Sequence, residues 1–377
     1  MLHRILIAGG GIAALEAAVA LRSLGGERVA PVLVSPSTDF SFRAREVGEP
    51  FGRTAPLHLP LDDVLGDLDV LHVTDSVTAV DAPARLVRTA TGRSLPYQGL
   101  LLAVGGTPFP AYAHGITFDR PRNPRAFDEL LDDVRAGLVA DVAFVVPDAA
   151  SWTLPAYDLA CMLRGWARRE DHDVRVRVVT AEGAPLEAFG TAAARRVAEV
   201  LRGCDVEVLC GAEPLLVSDT TMTAGGRWVT ADRVVSLPRL AGPRLRGLPC
   251  DWDGFITVGA DGAVAGCPGV YAVGDGADHP RKQGGLAAQQ ADVAVRALLR
   301  RAGVAAPAPP DPPALRGVLA TPEGPLYLEA RGGYGSPHAS SIASFEPLWD
   351  PPSKVSTRWL GPFLDGLVLR RTAAFAA

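Results

Sequence analysis

The sequence predicts an α/β protein built from two strand-helix-strand domains, the second inserted in the first, followed by a small C-terminal α+β unit. Three observations lead to this prediction: a glycine turn between a strand and a helix at the start of the chain, a strand ending in a Gly-Asp turn near residue 275, and alternating strands and helices between them. At 377 residues the chain is also too long for one ordinary core.

The first motif is the turn GGGIAALEAA at residues 9–18, which follows an apolar run and precedes an apolar-periodic segment. Gly9 permits a tight turn, and Gly11 lets the backbone approach a pyrophosphate at the positive end of the helix. Ala14 stands where a third glycine would allow close packing of the helix on the strand. The motif therefore predicts a dinucleotide site, and a turn that binds no ligand is the alternative. The candidate residues are Gly9, Gly11, Ile12, Ala13 and Ala14.

The second strand, at residues 29–34, lacks the acidic residue that usually ends such a strand and binds the adenosine ribose. Ser35 and Pro36 stand there instead, which makes Ser35 a candidate contact of the nucleotide. Asp39 could substitute for the missing acid, although an acidic residue in a loop is more often only solvated. We therefore expect ribose recognition to be weak or to come from elsewhere.

The later elements alternate between strands and helices after a loop at residues 39–60. The strand at 100–108, LLLAVGGTP, ends in a Gly-Gly turn and places Ala103 and Gly105 near the nucleotide. A proline-rich segment at 306–313 predicts a stiff linker. Strands are predicted at residues 5–8, 29–34, 70–80, 86–89, 100–108, 142–146, 174–179, 269–273 and 324–330, with a hairpin-like run at 255–264, and helices at 12–24, 124–136, 156–168 and 285–301.

The composition excludes several classes of protein. The net charge is −5 and no run of Lys and Arg appears, so we expect small-molecule partners and no nucleic acid. No leader precedes the first strand and no stretch is long enough to span a bilayer, so a cytoplasmic protein is expected. Five cysteines without CxxC spacing indicate neither a disulfide framework nor a metal site.

The tail at residues 353–371 sets apolar side chains among basic ones. Such a segment either lies on a membrane surface, here the inner face, or packs on its own domain, which is the commoner case. The apolar residues concerned are Trp359, Leu360, Phe363, Leu364 and Leu367.

A second motif, YAVGDGAD at residues 271–278, completes the first. Gly274 and Asp275 follow an apolar strand, where a carboxylate can accept hydrogen bonds from sugar hydroxyls. Capping of the next helix is the alternative role for Asp275. In this order the two motifs indicate the two halves of one flavin-binding site.

The order of motifs resembles the FAD-dependent pyridine nucleotide-disulfide oxidoreductase superfamily. The resemblance rests on the N-terminal GxGxxA turn, the segment LLLAVGGTP preceded by Tyr97, an inserted second domain and the late GVYAVGDGAD, and it covers residues 1 to about 300. The chain looks closest to the branch of sulfide:quinone oxidoreductases, flavocytochrome c sulfide dehydrogenases and type II NADH dehydrogenases (NADH:quinone oxidoreductases).

This resemblance implies two Rossmann-like (three-layer ββα) domains. Residues 1–112 and 250–304 would form the FAD-binding domain, 113–249 an NAD(P)-binding-like domain with a degenerate fingerprint, and 314–377 the C-terminal domain or tail. By position Asp275 would bind the ribityl chain of FAD, and the following helix would point its positive end at the flavin pyrimidine ring. The implied flavin neighbours there are Gly274, Asp275, Gln283, Gly284 and Gly285, with Lys282 adding charge.

The chain departs from the family pattern at its cysteines. The loop FRAREVGEPFG at residues 42–52 has none where the superfamily carries its redox disulfide, which excludes disulfide reductase activity. Trp152 stands where sulfide:quinone oxidoreductases have a cysteine. Cys161 lies in an apolar helical segment and is predicted to be buried and unreactive, so persulfide chemistry is not expected. The loop should face the isoalloxazine, unless its charges are merely solvated. Its candidate polar neighbours are Arg43, Arg45, Glu46 and Glu49.

The turn of the second domain, VVPDAASW at residues 145–152, has no glycine. Pro147 removes a backbone donor and Asp148 puts a negative charge where a pyrophosphate would sit, so NAD(P)H binding is disfavoured. Trp152 and Tyr157 either wall the flavin or an acceptor pocket or, as is more usual, pack in the core.

The sequence thus predicts an FAD-dependent oxidoreductase that transfers electrons from a small donor to a quinone-like or other acceptor without redox-active cysteines. Two alternatives remain: an NAD(P)H:acceptor (quinone) reductase, and a flavin-binding scaffold protein without donor chemistry. No catalytic acid or base can be named. His58, His279 and His338 lie in loops, where a lone histidine is more often exposed than catalytic.

Overall fold

A computed structural model of the chain describes residues 2–147, 152–307, 313–332 and 340–375, and in the last helix it describes side chains up to residue 367. The strands are β1 His3–Ala8, β2 Val29–Ser35, β3 Asp39–Ser41, β4 His58–Pro60, β5 Leu71–Thr74, β6 Val77–Asp81, β7 Leu86–Thr89, β8 Ser94–Pro96, β9 Gly99–Leu102, β10 Thr107–Phe109, β11 Ile116–Thr117, β12 Asp141–Val145, β13 Arg175–Val179, β14 Val206–Leu209, β15 Pro214–Leu216, β16 Thr221–Ala224, β17 Arg227–Thr230, β18 Arg233–Ser236, β19 Arg239–Ala241, β20 Val270–Ala272, β21 Ala314–Thr321, β22 Gly324–Arg331 and β23 Ser340–Ser344. The α-helices are α1 Ile12–Gly25, α2 Leu61–Gly66, α3 Pro124–Arg135, α4 Leu154–Arg169, α5 Thr191–Gly203, α6 Gly284–Arg301 and α7 Leu360–Phe375.

A parallel sheet in the order β20-β9-β1-β2-β5 forms the first domain. Helices α1 and α6 cover one face, and the antiparallel sheet β6-β7-β8 covers the other, which gives the three predicted layers. Because both faces are covered, the strands read as nearly continuous apolar runs. The other four strands of this sheet lie before residue 103, whereas β20 begins at Val270. The domain is therefore formed from two separate parts of the chain, with the second domain inserted between them, as predicted.

The second domain is a parallel sheet in the order β11-β18-β12-β13-β14, inserted in the chain between β9 and β20. A small antiparallel sheet, β15-β16-β17, packs against it through a separate apolar cluster. The predicted fold class of two Rossmann-like domains is therefore confirmed. The residue boundaries proposed above for the domains stay predictions.

The C-terminal unit contacts both domains. Its antiparallel sheet β21-β22-β23 places Leu319, Leu326 and Leu328 in the core of the second domain. Helix α7 instead packs Leu360 and Leu364 into the core of the first domain. The C-terminal residues therefore hold the two domains together rather than forming a core of their own.

Several local predictions were wrong. The strand predicted at 100–108 stops at Leu102, because Gly105 has φ +72° and turns the chain, and β10 then pairs separately with β19. The hairpin-like run at 255–264 makes only isolated bridges, such as Val258 with Val264. The predicted loop at 39–60 contains β3, β4 and a 3-10 helix, Arg43–Phe51. Helix α5 and strands β14 to β19 were not anticipated.

Candidate cofactor site

The carboxyl ends of β1, β9 and β20 meet at one edge of the first sheet and bring together turns that are far apart in the sequence. The loops after β9 and β20 pack backbone against backbone. A Cβ on Gly276 would lie 3.1 Å from the carbonyl oxygen of Gly105, and one on Gly106 would lie 3.3 Å from that of Asp275. The turns of both motifs therefore meet at this edge of the sheet, where they border one cleft.

Gly9 makes the tight turn that the sequence predicts. Its φ is +125°, and a Cβ there would lie 2.1 Å from the carbonyl oxygen of Ala103. Its backbone N–H donates to the carbonyl of Val34 over 2.8 Å. Only glycine can satisfy both the dihedral angle and this close approach of β1 to the loop after β9.

The N-terminus of α1 is open. Gly11 is the N-cap, makes no side-chain capping hydrogen bond, and has no atom within 4 Å of the position its Cβ would take. Ile12 is partly buried, whereas Ala13 and Ala14 are buried against the sheet. The first amides of α1 are therefore free to bind an anion such as a pyrophosphate.

The structure places Ser35 beneath this turn rather than on the open surface. Its hydroxyl accepts the N–H of Ser37 over 3.2 Å, and its side chain packs under Gly10. Asp39 is exposed and accepts a hydrogen bond from the hydroxyl of Thr38, as a solvated loop acid does.

Asp275 has a buried carboxyl oxygen, Oδ1, with no hydrogen-bond partner. Burial raises the pKa of this carboxyl, while the charges of Lys282 and Arg43 lower it. An orphaned buried acceptor is expected where a ligand hydroxyl completes its bonding. The alternative role as a helix cap is wrong, because α6 begins at Gly284 with Gln283 as its N-cap.

Gln283 uses its side chain to fix the start of α6. Its Oε1 accepts the N–H of Leu286 over 2.7 Å, and its Nε2 donates to the carbonyl of Arg316 over 3.0 Å. A Cβ on Gly284 would lie 3.2 Å from Cγ1 of Val355, and one on Gly285 would lie 3.3 Å from the carbonyl oxygen of Ser356. The segment around Val355 thus lies across the start of α6, a neighbour that the sequence did not reveal.

Lys282 is buried beside Asp275. Its Nζ donates to the carbonyl of Ala277 and lies 3.7 Å from the ring centroid of Phe255. Burial lowers the pKa of Lys282, and the charge of Asp275 raises it. The ammonium therefore provides a fixed positive charge next to the cleft.

The 3-10 helix Arg43–Phe51 packs against α4 and places Arg43 close enough to Asp275 to act on its charge. The charge of Arg43 lowers the pKa of Asp275 as well as that of Glu46. Burial nevertheless raises the pKa of Glu46 to about 7. Glu49 lies 3.9 Å from the guanidinium of Arg120. The first predicted neighbour, Arg43, is exposed and placed near Asp275.

Side chains of the protein bond one another at the carboxyl edge of the second sheet. Glu182 follows β13, where an acid of this fold binds a nucleotide ribose, and sequence analysis missed it. Its carboxylate accepts hydrogen bonds from the hydroxyls of Thr153 at 3.1 Å, Tyr157 at 2.7 Å and Thr180 at 3.2 Å. Burial raises the pKa of Glu182.

Tyr157 packs in the core and the partly buried Trp152 packs against it, as the commoner of the two interpretations expects. The Trp152 ring lies 5.9 Å from that of Phe189, and Tyr157 is fully buried. A Cβ on Gly317 of β21 would lie 2.8 Å from Leu154 and 3.5 Å from Trp152. Strand β21 thus covers the start of α4. Pro147 is buried, and Asp148 lies outside the described residues.

The cysteines carry no disulfide in the structure. A hydrogen bond to Cys204 and burial raise the pKa of Cys161 well above its ordinary value, and burial raises that of Cys210 to about 11. Burial also raises the pKa of Cys267, whereas Cys250 is exposed. A protonated thiol is a poor nucleophile.

The three loop histidines differ in their surroundings. His58 is exposed and its Nδ1 pairs with the hydroxyl of Ser41 over 3.0 Å. His279 has a buried Nε2 without a partner, and burial lowers its pKa. His338 lies outside the described residues.

Metal ligands and membrane spans were also sought in the described segments. These segments hold no cluster of His, Cys, Asp and Glu suited to a metal ion. No helix in the same segments combines the length and apolar character needed to cross a membrane.

A nucleotide-type sheet edge with an open helix N-terminus and an orphaned carboxyl oxygen is typical of a dinucleotide-binding site. The chain belongs to the pyridine nucleotide-disulphide oxidoreductase family, which it matches over residues 3–297. The predicted superfamily is thereby confirmed, and the protein is an FAD-dependent oxidoreductase. The family's description also implies a nicotinamide nucleotide.

Similar proteins include two NADH dehydrogenase-like proteins of Mycobacterium tuberculosis, 30% and 31% identical, with 72% of this chain and 72% of each relative covered. Among solved structures, the sulfide:quinone oxidoreductase of Aquifex aeolicus matches with a TM-score of 0.79 at 16% identity, covering 91% of this chain and 87% of that one. Putidaredoxin reductase, in its covalent complex with putidaredoxin, matches with a TM-score of 0.63 at 19% identity and the same coverage. At these identities the structural matches establish the fold.

Proposed function

We propose that this enzyme passes electrons from a small donor, through FAD, to a quinone-like or other acceptor, and that its donor is not a nicotinamide nucleotide held in the second domain. The occupied crevice around Glu182 carries this proposal. Three hydroxyls of the chain already bond the carboxylate that would otherwise bind ribose hydroxyls. Each such charge-assisted bond contributes about 1.5 to 3 kcal/mol, so a nucleotide would have to displace them at a cost.

Packing supports the same conclusion. Trp152 lies in the turn before α4, close to where the nucleotide phosphates would approach, and contacts Phe189. Strand β21 lies against the start of α4 through Gly317. Opening this crevice would therefore require the C-terminal sheet to move away from the second domain.

The first domain, in contrast, fits FAD. The free amides at the start of α1 suit the pyrophosphate, and Oδ1 of Asp275 suits a sugar hydroxyl. Bound FAD would supply the two-electron chemistry. The start of α6 and the ammonium of Lys282 stabilise negative charge at that end of the cleft, and Val355 excludes water from the start of α6.

We also propose that no cysteine takes part in electron transfer. The pKa values of Cys161, Cys210 and Cys267 are raised, so these thiols stay protonated at neutral pH. The hydrogen bond with Cys161 lowers the pKa of Cys204, but its side chain is buried and out of reach of a substrate. The remaining exposed thiol, Cys250, has no described disulfide partner.

A second candidate is an NAD(P)H:acceptor reductase. It is favoured by the curated relatives, which are described as NADH dehydrogenase-like. In that case the nicotinamide nucleotide would bind outside the crevice around Glu182, or would displace the side chains that occupy it.

The test is an anaerobic visible spectrum of the purified protein before and after NADH and then NADPH. We expect flavin bands that persist with both nucleotides, that disappear on photoreduction, and that return when a soluble quinone is added. The Asp275→Ala variant should lose most of its flavin, because it lacks the acceptor for the sugar hydroxyl. Rapid bleaching by either nucleotide would reject the proposed donor in favour of the second candidate, and a protein that binds no FAD would reject the cofactor site.

A further inference from the structure

A cavity of about 330 Å³ lies at the amino edge of the first sheet, opposite the cofactor cleft. Strand β1 starts here at His3 and ends at the cleft with Ala8, so the two places lie roughly 17 Å apart along the strand. The last turn of α6 forms one wall. The volume is in the range of small-molecule sites.

Among the described residues, the polar lining of this cavity is cationic or neutral. Arg85, Arg301 and His3 line it together with Gln98, and no carboxylate is among the lining residues of the described segments. Within the described residues neither Arg85 nor Arg301 forms an ion pair. Two guanidinium groups without counter-ions therefore share one concave surface.

Local structure fixes the backbone at Arg85 and leaves room for the side chain of Arg301. Arg85 has φ +54° in the turn between β6 and β7, and its carbonyl accepts the N–H of Tyr97 over 3.1 Å. Arg301 lies over Gly269, where a Cβ would come within 3.0 Å of its Nε. Glycine at position 269 thus leaves the space that Arg301 occupies beside the cavity.

The side-chain amide of Gln98 and an apolar surface complete the cavity. Oε1 of Gln98 accepts the N–H of Arg4 over 2.7 Å, which leaves the amide nitrogen of Gln98 as a further donor. Ile5 and Leu298 provide an apolar floor. The combination of charged donors above an apolar floor is typical of a site that orients a small anionic molecule.

We propose that this cavity binds the phosphate group of a small metabolite, at a site separate from that of FAD. The planar guanidinium groups of Arg85 and Arg301 match phosphate oxygens in pairs of hydrogen bonds. The amide of Gln98 adds a neutral donor, and the apolar floor contacts the organic part of the ligand. This proposal depends on the cavity alone and not on the electron donor.

The experiment is calorimetric titration of the flavin-loaded protein with inorganic phosphate at low ionic strength. We expect saturable binding of one phosphate per chain. Arg85→Ala and Arg301→Ala should each weaken it about tenfold or more, because each removes charge-assisted hydrogen bonds. The matched control is Arg195→Ala, which removes an exposed arginine of α5 and should leave the affinity unchanged.

Two outcomes would overturn the proposal. One is the absence of saturable binding at millimolar phosphate. The other is binding that both cavity variants leave unchanged, which would place the phosphate elsewhere, for example at the amides of α1. Both cavity arginines are exposed, so circular dichroism should report unchanged folding in these variants.

Discussion

At the scale of the residue, the surroundings of each carboxylate decide what it can do. Glu182 accepts three hydroxyl donors from its own chain and is satisfied without a ligand. Asp275 keeps a buried oxygen without any partner. The same chemical group is therefore satisfied by its own chain at one sheet edge and keeps an unpartnered acceptor at the other.

Glu46 should make stability depend on pH near neutrality. Burial raises its pKa to about 7, so between its ordinary value of 4.5 and about 7 the folded state holds a proton that the unfolded state has lost. The stability that comes from this proton is complete below pH 4.5 and is lost as the pH rises through about 7. We predict that Glu46→Gln is more stable than the wild type at pH 8 and has a flatter profile in that window.

The measurement is urea unfolding at several pH values between 4.5 and 8. Glu27→Gln, at an exposed position in the turn after α1, is the matched control and should follow the wild type. Identical profiles for Glu46→Gln and the wild type would show that Glu46 titrates alike in both states.

At the scale of the element, helix N-termini differ in how their free amides are satisfied. Gln283 caps α6 from its own N-cap position, and the hydroxyl of Ser341 accepts the N–H of Ala193 in α5 over 2.9 Å. Helix α7 receives its cap from Glu16 of α1. Gly11 provides no such cap for α1, which is why that helix end suits a phosphate.

The cap of α7 should contribute strongly to stability. The buried carboxylate of Glu16 accepts the N–H groups of Arg358 at 2.8 Å, Trp359 at 3.0 Å and Leu360 at 2.7 Å. Glu16→Ala leaves these amides without their acceptor, and we predict a loss of about 2 to 3 kcal/mol in the free energy of unfolding. Limited trypsin digestion should then cut after Arg358 faster than in the wild type.

Chemical denaturation measures the first effect and the rate of the C-terminal cut measures the second. Glu27→Ala removes an exposed glutamate and serves as the control. An unchanged unfolding midpoint for Glu16→Ala would mean that water replaces the carboxylate at no cost.

At the scale of the whole molecule, the C-terminal residues hold the two domains in one arrangement. Lys354 lies 2.5 Å from the fully buried carboxylate of Asp158 in α4, and Asp158 also accepts the N–H of Ala320 over 2.7 Å. Trp359 donates to Asp292 of α6 over 2.9 Å. The apolar tail residues, Leu360 and Leu364 among them, are used in the first domain's core, which favours packing over membrane contact.

Removing the lysine should leave a buried charge. Burial raises the pKa of Asp158 and Lys354 lowers it, so Lys354→Met should raise it further. An acid whose pKa is raised in the folded state contributes stability that is lost as the pH rises. The free energy of unfolding of Lys354→Met should therefore be only slightly below that of the wild type at pH 5, and about 3 kcal/mol below it at pH 8. Urea unfolding at the two pH values measures it.

The double variant Lys354→Met with Asp158→Asn provides the control, because it removes the charge together with its partner. It should recover most of the stability at pH 8. A single variant as stable as the wild type at both pH values would contradict the role given to this ion pair.

The sequence-based predictions were right where a feature depends on neighbouring residues and wrong where it depends on residues far apart in the chain. Gly9 and Gly11 were assigned their places correctly, because the dihedral angle of a turn and the end of a helix are local properties. The capping role considered for Asp275 was wrong, because the start of α6 depends on Gln283 and its contact with Arg316. Glu182 was missed because its hydroxyl donors lie on separate elements.

The sequence by itself determined the fold class, the family and the open N-terminus of α1, since these depend on apolar periodicity and on glycines at fixed spacing. Only the tertiary structure decided that three hydroxyls of the chain bond Glu182 and that the tail joins both domains through Glu16 and Asp158. It also decided that two arginines share a cavity at the far edge of the first sheet. The reason is physical. Burial, pairing and cavity formation depend on residues that are far apart in the chain, and no local pattern records which of them will meet.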